Sequence, residues 1–332
     1  MAANSENRSS ETFRLFSSSG ETFNFGFGFF DSPARPLPPP PPSVEVLSTE
    51  ASTSVKYTVE PVNLDGLTLL KGRVSTKEVF ALSNSDLVPG KYEGDWYSPF
   101  TFLFLHSSFI YCIVSWGTKV MEGSLDLVKA LRSEVGHGHL AFTGKRVLEL
   151  GCGHGLPGIF ACLEGAGAVH FQDFNAEVLK CLTIPNLNAN IQKVVSPSKT
   201  NVADCETGTE VRFFAGDWSE IDKLLPHVRD TKKEPECSSG DCPDDGYDII
   251  LMAETVYSTT VFQRLYDLIK KCMRYPNGTV YMAAKKHYFG VGGGTRQFLS
   301  KVEEDGLMAF SMVAEVADGS SNIREVWKLS FK

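Results

Sequence analysis

The stretch that decides the fold is VLELGCGHG, residues 147–155. Its first four residues form a mainly apolar run that predicts a buried strand, and Pro157 suits the first turn of a helix that follows. Glycines between the two allow a tight turn and let the backbone approach a ligand closely at the carboxyl edge of a parallel sheet. This arrangement indicates a nucleotide-binding α/β domain.

Apolar periodicity predicts alternating helices and strands from Gly123 to the C-terminus. A helix precedes the glycine loop in SLDLVKALRSEV, with Ser124 as its cap. The alternation predicts an α/β domain whose sheet is mostly parallel, with helices on both faces. The last two strands, FSMVAEVA and REVWKLSF, are separated by the short connection Asp318–Asn322, so we expect a C-terminal antiparallel hairpin.

The chain before this α/β domain divides into two parts. Residues 1–54 are rich in Ser, Gly and Phe and include the proline block Pro38–Pro42, which predicts a disordered tail. Residues 55–122 are predicted to form a lead-in that packs on the α/β domain at 123–332. Within the lead-in, residues 95–119 are dense in aromatic side chains, and three polar residues interrupt them, so they are a poor candidate for a membrane span.

Composition narrows the class of partner. The chain of 332 residues carries a formal net charge of -8, which argues against general electrostatic binding of nucleic acid.

The N-terminus and the cysteines bear on the compartment. The first residues, MAANSENRSS, lack the features of a signal peptide. Several cysteines lie in apolar runs and no spacing completes a zinc site, so we expect core thiols in a reducing compartment and no metal. The cysteines are Cys112, Cys152, Cys162, Cys181, Cys205, Cys237, Cys242 and Cys272.

Acidic and aromatic residues near the glycine loop favour one kind of ligand. The spacing GxGxG differs from the GxGxxG of dinucleotide sites, and Glu149 suits the cationic end of a sulfonium but would repel a pyrophosphate. Asp173 ends the next strand, where an acid binds ribose hydroxyls, and Phe174 beside it can pack on adenine. The turn Gly216-Asp217-Trp218 offers an acceptor and a ring face to the base. Together these residues predict S-adenosylmethionine as the cofactor.

Two further segments supply candidate catalytic residues. Glu254, in LMAETVY, follows the fourth strand and is placed to orient the substrate or accept its proton; the alternative is an ordinary acid at a helix N-terminus. His287 opens the segment KHYFGVGGG and is a candidate for placing the substrate; the alternative is a plain surface histidine. The glycines of that segment predict a mobile loop that closes on the substrate, or else a flexible connector.

Five motifs in order carry a family resemblance: VLELGCGHGLPGI, HFQDFNAEVL, FFAGDWSE, LMAETVY and KHYFGVGGG. They resemble the histidine protein methyltransferase 1 family from about Leu87 onwards. All seven-strand methyltransferases share the glycine loop, and the other four motifs are far more specific. The resemblance therefore implies a Rossmann-like seven-stranded methyltransferase sheet, mostly parallel with a C-terminal antiparallel hairpin. The resemblance implies methylation of a histidine in a large-subunit ribosomal protein, in cytoplasm and nucleus. It implies cofactor contacts at Met121, Glu122, Gly123, Ser124, Gly151, Gly153, Gln172, Asp173, Phe174, Asp217, Trp218, Ala253 and Glu254.

The chain departs from the family in one place. The family pattern KYEGGLKxWE is broken after KYEG by residues 95–119, which resemble translated non-coding sequence, and Met121 stands where a tryptophan is expected. Three functions stay open: a protein-histidine N-methyltransferase, a lysine or small-molecule methyltransferase of the same fold, and a non-catalytic binding module. We expect a monomer that acts on a protein, with no membrane association and no direct nucleic-acid site.

Overall fold

The computed structural model describes six stretches of the chain. These are residues 42–74, 121–191, 208–229, 245–288, 292–317 and 323–332. All of them belong to one unit, Pro39–Lys332, and the other unit, Met1–Pro38, lies outside them.

The described residues contain ten strands and six α-helical segments. The strands are β1 Val44–Val46, β2 Thr58–Leu64, β3 Leu67–Arg73, β4 Arg146–Leu150, β5 Ala168–Asp173, β6 Glu210–Ala215, β7 Ile249–Ala253, β8 Thr279–Lys285, β9 Met308–Val316 and β10 Arg324–Phe331. The helices are α1 Met121–Gly136, α2 Leu156–Leu163, α3 Ala176–Val178, α4 Ile184–Ile191, α5 Phe262–Cys272 and α6 Thr295–Asp305. A π-helical turn, Leu179–Thr183, joins α3 to α4, and 3-10 turns lie at Ser48–Glu50, Ile221–Lys223 and Thr259–Val261.

Eight of the strands form the main sheet, in the order β1-β6-β5-β4-β7-β8-β10-β9. The five central strands, β6 to β8 in this order, pair in parallel. β10 pairs antiparallel with both β8 and β9, which confirms the predicted C-terminal hairpin. The predicted Rossmann-like methyltransferase sheet is therefore confirmed, and β1 adds an eighth strand at the edge next to β6. β2 and β3 form a separate hairpin.

The central strands are buried on both faces, as parallel strands covered by helices must be. Because successive side chains alternate between faces, Val147 and Leu251 join one core with helices α1, α2 and α4. Leu148 and Ile250 join the opposite core with helices α5 and α6. The short helix α2 buries residues 156–162 completely, which accounts for its uniformly apolar sequence.

Two predictions about local boundaries are wrong. The predicted disordered tail, 1–54, includes the ordered strand β1, which pairs with β6 through backbone hydrogen bonds and needs no apolar pattern of its own. Residues 1–41 lie outside the described part of the chain. Ser124 does not cap α1, because the helix begins three residues earlier, at Met121.

The β2–β3 hairpin is attached to the domain by two asparagines of α4. The Asn186 side-chain carbonyl accepts hydrogen bonds of 2.7 Å from the Gly72 N–H and the Tyr57 hydroxyl. Its amide donates to the carbonyl of His154, in the glycine loop, at 2.9 Å. Asn190 makes two further 2.7 Å hydrogen bonds with the backbone of β3. The lead-in thus packs against the back of the glycine loop.

Several predictions fall on residues outside the described stretches. The aromatic stretch 95–119, the boundary of the lead-in before residue 121 and four of the eight cysteines are among them. The described cysteines, Cys152, Cys162, Cys181 and Cys272, are buried and form no disulfide with one another, which confirms their prediction as core thiols. None of the helices in the described stretches has both the length and the hydropathy that a membrane crossing requires.

Candidate active site

The predicted site residues meet at one edge of the sheet, where the parallel strands end. β4 ends at the glycine loop, β5 at Asp173, β6 at the Gly216-Asp217-Trp218 turn and β7 at Glu254. In the loop, Gly151, Gly153 and Gly155 have φ values of 61°, 50° and 70°. Residues other than glycine rarely adopt positive φ values, so the backbone of the loop favours glycine at these three positions.

Gln172 ties two of these loops together. Its side-chain carbonyl accepts hydrogen bonds from the Gly151 N–H at 3.3 Å and from the Trp218 indole N–H at 2.9 Å. Its amide donates to the carbonyl of Gly216 at 2.9 Å. Gln172 is fully buried, so the structure places it as a support for the loops around a ligand.

Asp173 lies beside the glycine loop at the end of β5. One carboxylate oxygen accepts the Gly153 N–H at 3.1 Å and the other accepts the Asn175 N–H at 3.0 Å. The Phe174 N–H is a third backbone donor to this carboxylate, which leaves about one of its four acceptor sites for a ligand, and 9% of the residue stays exposed. Burial raises the pKa of Asp173, and these backbone donors oppose that rise. The geometry is compatible with the predicted ribose contact, and Phe174 follows at the same strand end.

Asp217 and Glu149 are already bonded to protein groups. One oxygen of Asp217 accepts from the N–H and hydroxyl of Ser219, at 2.8 and 2.6 Å, and the other lies 3.4 Å from Arg264. Glu149 is 1% exposed, and its carboxylate accepts the Gly158 N–H of helix α2 at 2.8 Å. Burial raises the pKa of Glu149 to about 8. Contacts of either acid with the cofactor stay predictions.

Glu254 occupies a strained position after β7. Its φ of 57° lies in the left-handed region, and its N–H donates to the carbonyl of Ala283 at 2.9 Å. The next helical turn begins only at Thr259, so the alternative of an acid at a helix N-terminus is wrong. Burial raises the pKa of Glu254 to about 7. A carboxylate with this pKa suits proton transfer near neutral pH.

The two oxygens of the Glu254 carboxylate have different surroundings. Oε2 accepts a hydrogen bond from the hydroxyl of Tyr288. Oε1 is buried and has no hydrogen-bond partner among the described residues, as is also true of the neighbouring Thr255 hydroxyl. A Cβ added to Gly123 would lie 2.9 Å from Glu254 Cγ and would overlap Oε1. Gly123 of α1 therefore packs directly against this buried, unpartnered oxygen.

Helix α1 is fastened to the sheet by Arg324 of β10. The Arg324 guanidinium donates to Asp126 at 2.6 Å and to Glu122 at 2.8 Å. This pairing engages the Glu122 carboxylate, and the predicted cofactor contacts of Met121 to Ser124 stay predictions. Ala253, the last residue of β7, is partly buried at the same edge.

The described end of the glycine-rich segment is hydrogen-bonded to the backbone that follows β7. The Gly293 N–H donates to the carbonyl of Tyr257 at 3.1 Å, and the Gly294 N–H donates to that of Val256 at 2.9 Å. A Cβ on Gly293 would overlap the Tyr257 backbone. A Cβ on Gly294 would likewise overlap the Lys286 carbonyl, whereas one on Gly292, at a φ of 78°, would meet nothing within 4 Å. The mobility of the segment stays a prediction, and residues 289–291 lie outside the described part. His287 is exposed, while its neighbour Tyr288 is buried.

These residues fit S-adenosylmethionine on three observations. The glycine loop leaves open space beside Gly153, Asp173 has acceptor capacity to spare, and a buried Glu254 oxygen lacks a partner in the described chain. No cluster of three or more His, Cys, Asp or Glu side chains suited to a metal occurs in the described stretches. Sequence reasoning missed Tyr288, Thr255 and Arg324. Tyr288 is next to His287 in the segment KHYFGVGGG, and that position was the sequence signal that could have found it.

Comparison with known proteins identifies the family. No protein-family model matches the chain. A histidine protein methyltransferase 1 homolog from Dictyostelium discoideum is 33% identical over 251 residues, covering 76% of this chain and 62% of that protein. The homolog from Mus musculus is 32% identical over 259 residues, covering 75% and 60%. The matched part of the chain belongs to the histidine protein methyltransferase 1 homologue family. The chain spans about three fifths of the length of these relatives.

Two further similarities are more distant. EEF1A lysine methyltransferase 3 from Mus musculus is 25% identical over 167 residues, covering 50% of this chain and 55% of that protein. The crystal structure of magnesium protoporphyrin IX methyltransferase from Synechocystis PCC 6803 has a TM-score of 0.41 and 12% identity, covering 62% and 82%. Sequence identities of 25% and 12% do not indicate the substrate of this chain.

Proposed function

We propose that this protein is an S-adenosylmethionine-dependent protein-histidine N-methyltransferase, and that its substrate is a histidine of a large-subunit ribosomal protein. The observation that carries the proposal is the buried, unpartnered Oε1 of Glu254 at the same sheet edge as the glycine loop. A neutral imidazole has one N–H, which this oxygen can accept, and one lone pair, which is then left to react. Membership of the histidine protein methyltransferase 1 homologues supports the choice of histidine.

The residues that would hold the cofactor are those around the glycine loop. Gly151 and Gly153 let the backbone approach the ligand closely, Asp173 keeps an acceptor site for a ribose hydroxyl, and Trp218 has a ring face for the base. The cofactor, when bound, supplies a methyl group on a sulfonium that is already activated for transfer. The protein's task is therefore mainly to align the substrate and exclude water.

Glu254 has two tasks in this proposal. It holds the imidazole N–H, so that the other ring nitrogen presents its lone pair, and it then accepts the N–H proton once the alkylated ring has become cationic. A pKa near 7 suits that acceptance at neutral pH. Glu254→Gln keeps the shape but removes the base, so we expect methyl transfer to fall about 100-fold or more while cofactor affinity stays within about twofold.

The decisive experiment identifies the methylated residue. The full chain is incubated with methyl-labelled S-adenosylmethionine and large-subunit ribosomal proteins, and the labelled protein is hydrolysed. We expect methylhistidine. Label on lysine would overturn the proposal and favour the second candidate, for which the match to a lysine methyltransferase is the observation. Cofactor binding by calorimetry without any transfer would favour a binding module.

The remaining expectations belong to the same proposal. We propose that the protein acts in cytoplasm and nucleus as a monomer, with no membrane or direct nucleic-acid site. We propose that residues 123–332 carry the methyltransferase function, with β1 and the β2–β3 hairpin as supports. His287, exposed near the end of β8, is proposed to contact the substrate protein.

A further inference from the structure

We propose that Tyr288 is a positioning residue, which holds Glu254 through Oε2 so that Oε1 alone is presented to the N–H of the substrate ring. This inference rests on the proposed function, because it assigns a second residue to the same substrate contact. The role of Tyr288 would be to help the site bind a neutral imidazole by its N–H. Neither the glycine loop nor the cofactor contacts provide this selectivity.

Tyr288 is itself held firmly. It is 5% exposed, its N–H donates to the carbonyl of Gly293 at 2.9 Å, and its own carbonyl accepts the Gly292 N–H at 3.0 Å. The ring of Tyr257 packs edge-on against the Tyr288 ring, with centroids 6.5 Å apart. The hydroxyl that donates to Glu254 therefore comes from a side chain whose backbone and ring are both anchored.

The Glu254 carboxylate has few orientations available. Its backbone is fixed by the hydrogen bond to Ala283, Oε2 is bonded to Tyr288, and Gly123 leaves room for Oε1 only because it lacks a Cβ. A carboxylate held in this way can offer one acceptor oxygen to a substrate donor. Without the Tyr288 hydroxyl, either oxygen could face the substrate, and a protonated carboxyl would offer a donor where an acceptor is needed.

Four ionisable groups face Glu254 from the elements around it. The Tyr288 hydrogen bond, Lys285 at the end of β8 and Arg324 of β10 lower its pKa, whereas Asp126 of α1 raises it. Burial is the largest influence and also raises it. Removing the Tyr288 hydroxyl removes the strongest of the lowering influences, so the pKa of Glu254 must rise in its absence.

The test is the pH profile of methyl transfer by Tyr288→Phe. We expect the acid limb to move up by about one pH unit, so the rate falls about fivefold at pH 7 and recovers almost fully by pH 9. The substrate imidazole titrates equally in both proteins and cancels in the ratio of rates. A purely structural role for Tyr288 would lower the rate by the same factor at every pH, and that outcome overturns the inference.

Tyr266→Phe is the matched control. Tyr266 is also buried, and its hydroxyl donates to a carboxylate, that of Asp305, at 2.9 Å in a different part of the fold. We expect this variant to keep the wild-type profile, and a shift like that of Tyr288→Phe would contradict the inference.

A second measurement does not depend on activity. Carboxyl-labelled glutamate is titrated by NMR in the full chain, and Glu254→Gln assigns the Glu254 resonance. We expect the Glu254 midpoint to rise in Tyr288→Phe. An unchanged midpoint overturns the positioning role, whereas a raised midpoint with label found on lysine overturns only the proposed function.

Discussion

The two halves of the candidate active site differ in how their buried polar groups are hydrogen-bonded. On the glycine-loop side (Gly151, Gly153, Gln172, Asp173 and Trp218), the side-chain groups of Gln172 and Asp173 are hydrogen-bonded within the protein. On the Glu254 side (Gly123, Glu254, Thr255 and Tyr288), the buried Glu254 Oε1 and Thr255 hydroxyl have no partner in the described stretches. Buried polar atoms without partners are rare in native proteins and call for an explanation.

This difference shows which half is complete before a ligand arrives. Each unpartnered buried polar group costs about 1–3 kcal/mol, so two adjacent ones mark a place where a polar ligand can recover that cost. The left-handed backbone of Glu254 adds a further cost at the same place. The glycine-loop side therefore resembles a preformed cofactor cradle, and the Glu254 side resembles a site that a polar substrate completes.

The largest effect is expected from adding a side chain against the unpartnered Oε1 of Glu254. In Gly123→Ala the new methyl group overlaps Oε1 and must displace the carboxylate. We expect methyl transfer to fall at least about 100-fold, with a loss of stability of about 1–3 kcal/mol from overpacking. Rates with saturating substrates and denaturant unfolding measure the two effects.

Gly136→Ala, in the same helix, is the control for that variant. A Cβ there meets nothing within 4 Å, so the substitution should stabilise by about 0.4–1 kcal/mol and leave the rate unchanged. Full activity in Gly123→Ala would show that Oε1 is not where the substrate binds.

The glycine-loop side could be predicted from sequence, whereas much of the Glu254 side could not. Motif spacing places Asp173 and Glu254 at strand ends, and parallel strands bring their ends to one edge. The Tyr288 contact depends on how the chain turns after β8, and no periodicity encodes that turn. β1 was missed for a similar reason, since three residues after a proline block give no alternation to read.

The next effect tests the glycine-loop side. Asp173→Ala removes the acceptor proposed for ribose and also the partner of the Gly153 N–H. We expect S-adenosylmethionine to bind about 10- to 100-fold more weakly by calorimetry, because hydrogen bonds to a charged group contribute about 1.5–3 kcal/mol each. Asp222→Ala, which removes an acid paired with Lys271 away from the edge, should bind normally. Equal affinities of all three proteins would place the cofactor elsewhere.

The smallest effect concerns Glu149, the acid buried beneath the glycine loop. Its pKa is about 8 in the folded chain against an ordinary value of 4.5, so the folded state holds an extra proton between these values. Stability from this group is fully present below pH 4.5 and is lost as pH rises through 8. The glutamine side chain of Glu149→Gln does not titrate and can still accept the Gly158 N–H. Between pH 5 and 9 the free energy of unfolding of this variant should therefore fall by about 1–3 kcal/mol less than that of wild type.

Urea unfolding at several pH values measures this slope, and Glu60→Gln provides the contrast. Lys71 lowers the pKa of Glu60, so the Glu60 carboxylate stabilises the fold above its ordinary pKa. That contribution is lost only as the pH falls through the lowered pKa. Its removal should leave the slope between pH 5 and 9 as in wild type. Burial also raises the pKa of Glu254, which is present in both variants. Both variants should therefore still lose some stability as the pH rises. If Glu149→Gln had the wild-type slope, Glu149 would be ionised in the folded state, and the glycine loop would already carry the negative charge that a sulfonium ligand attracts.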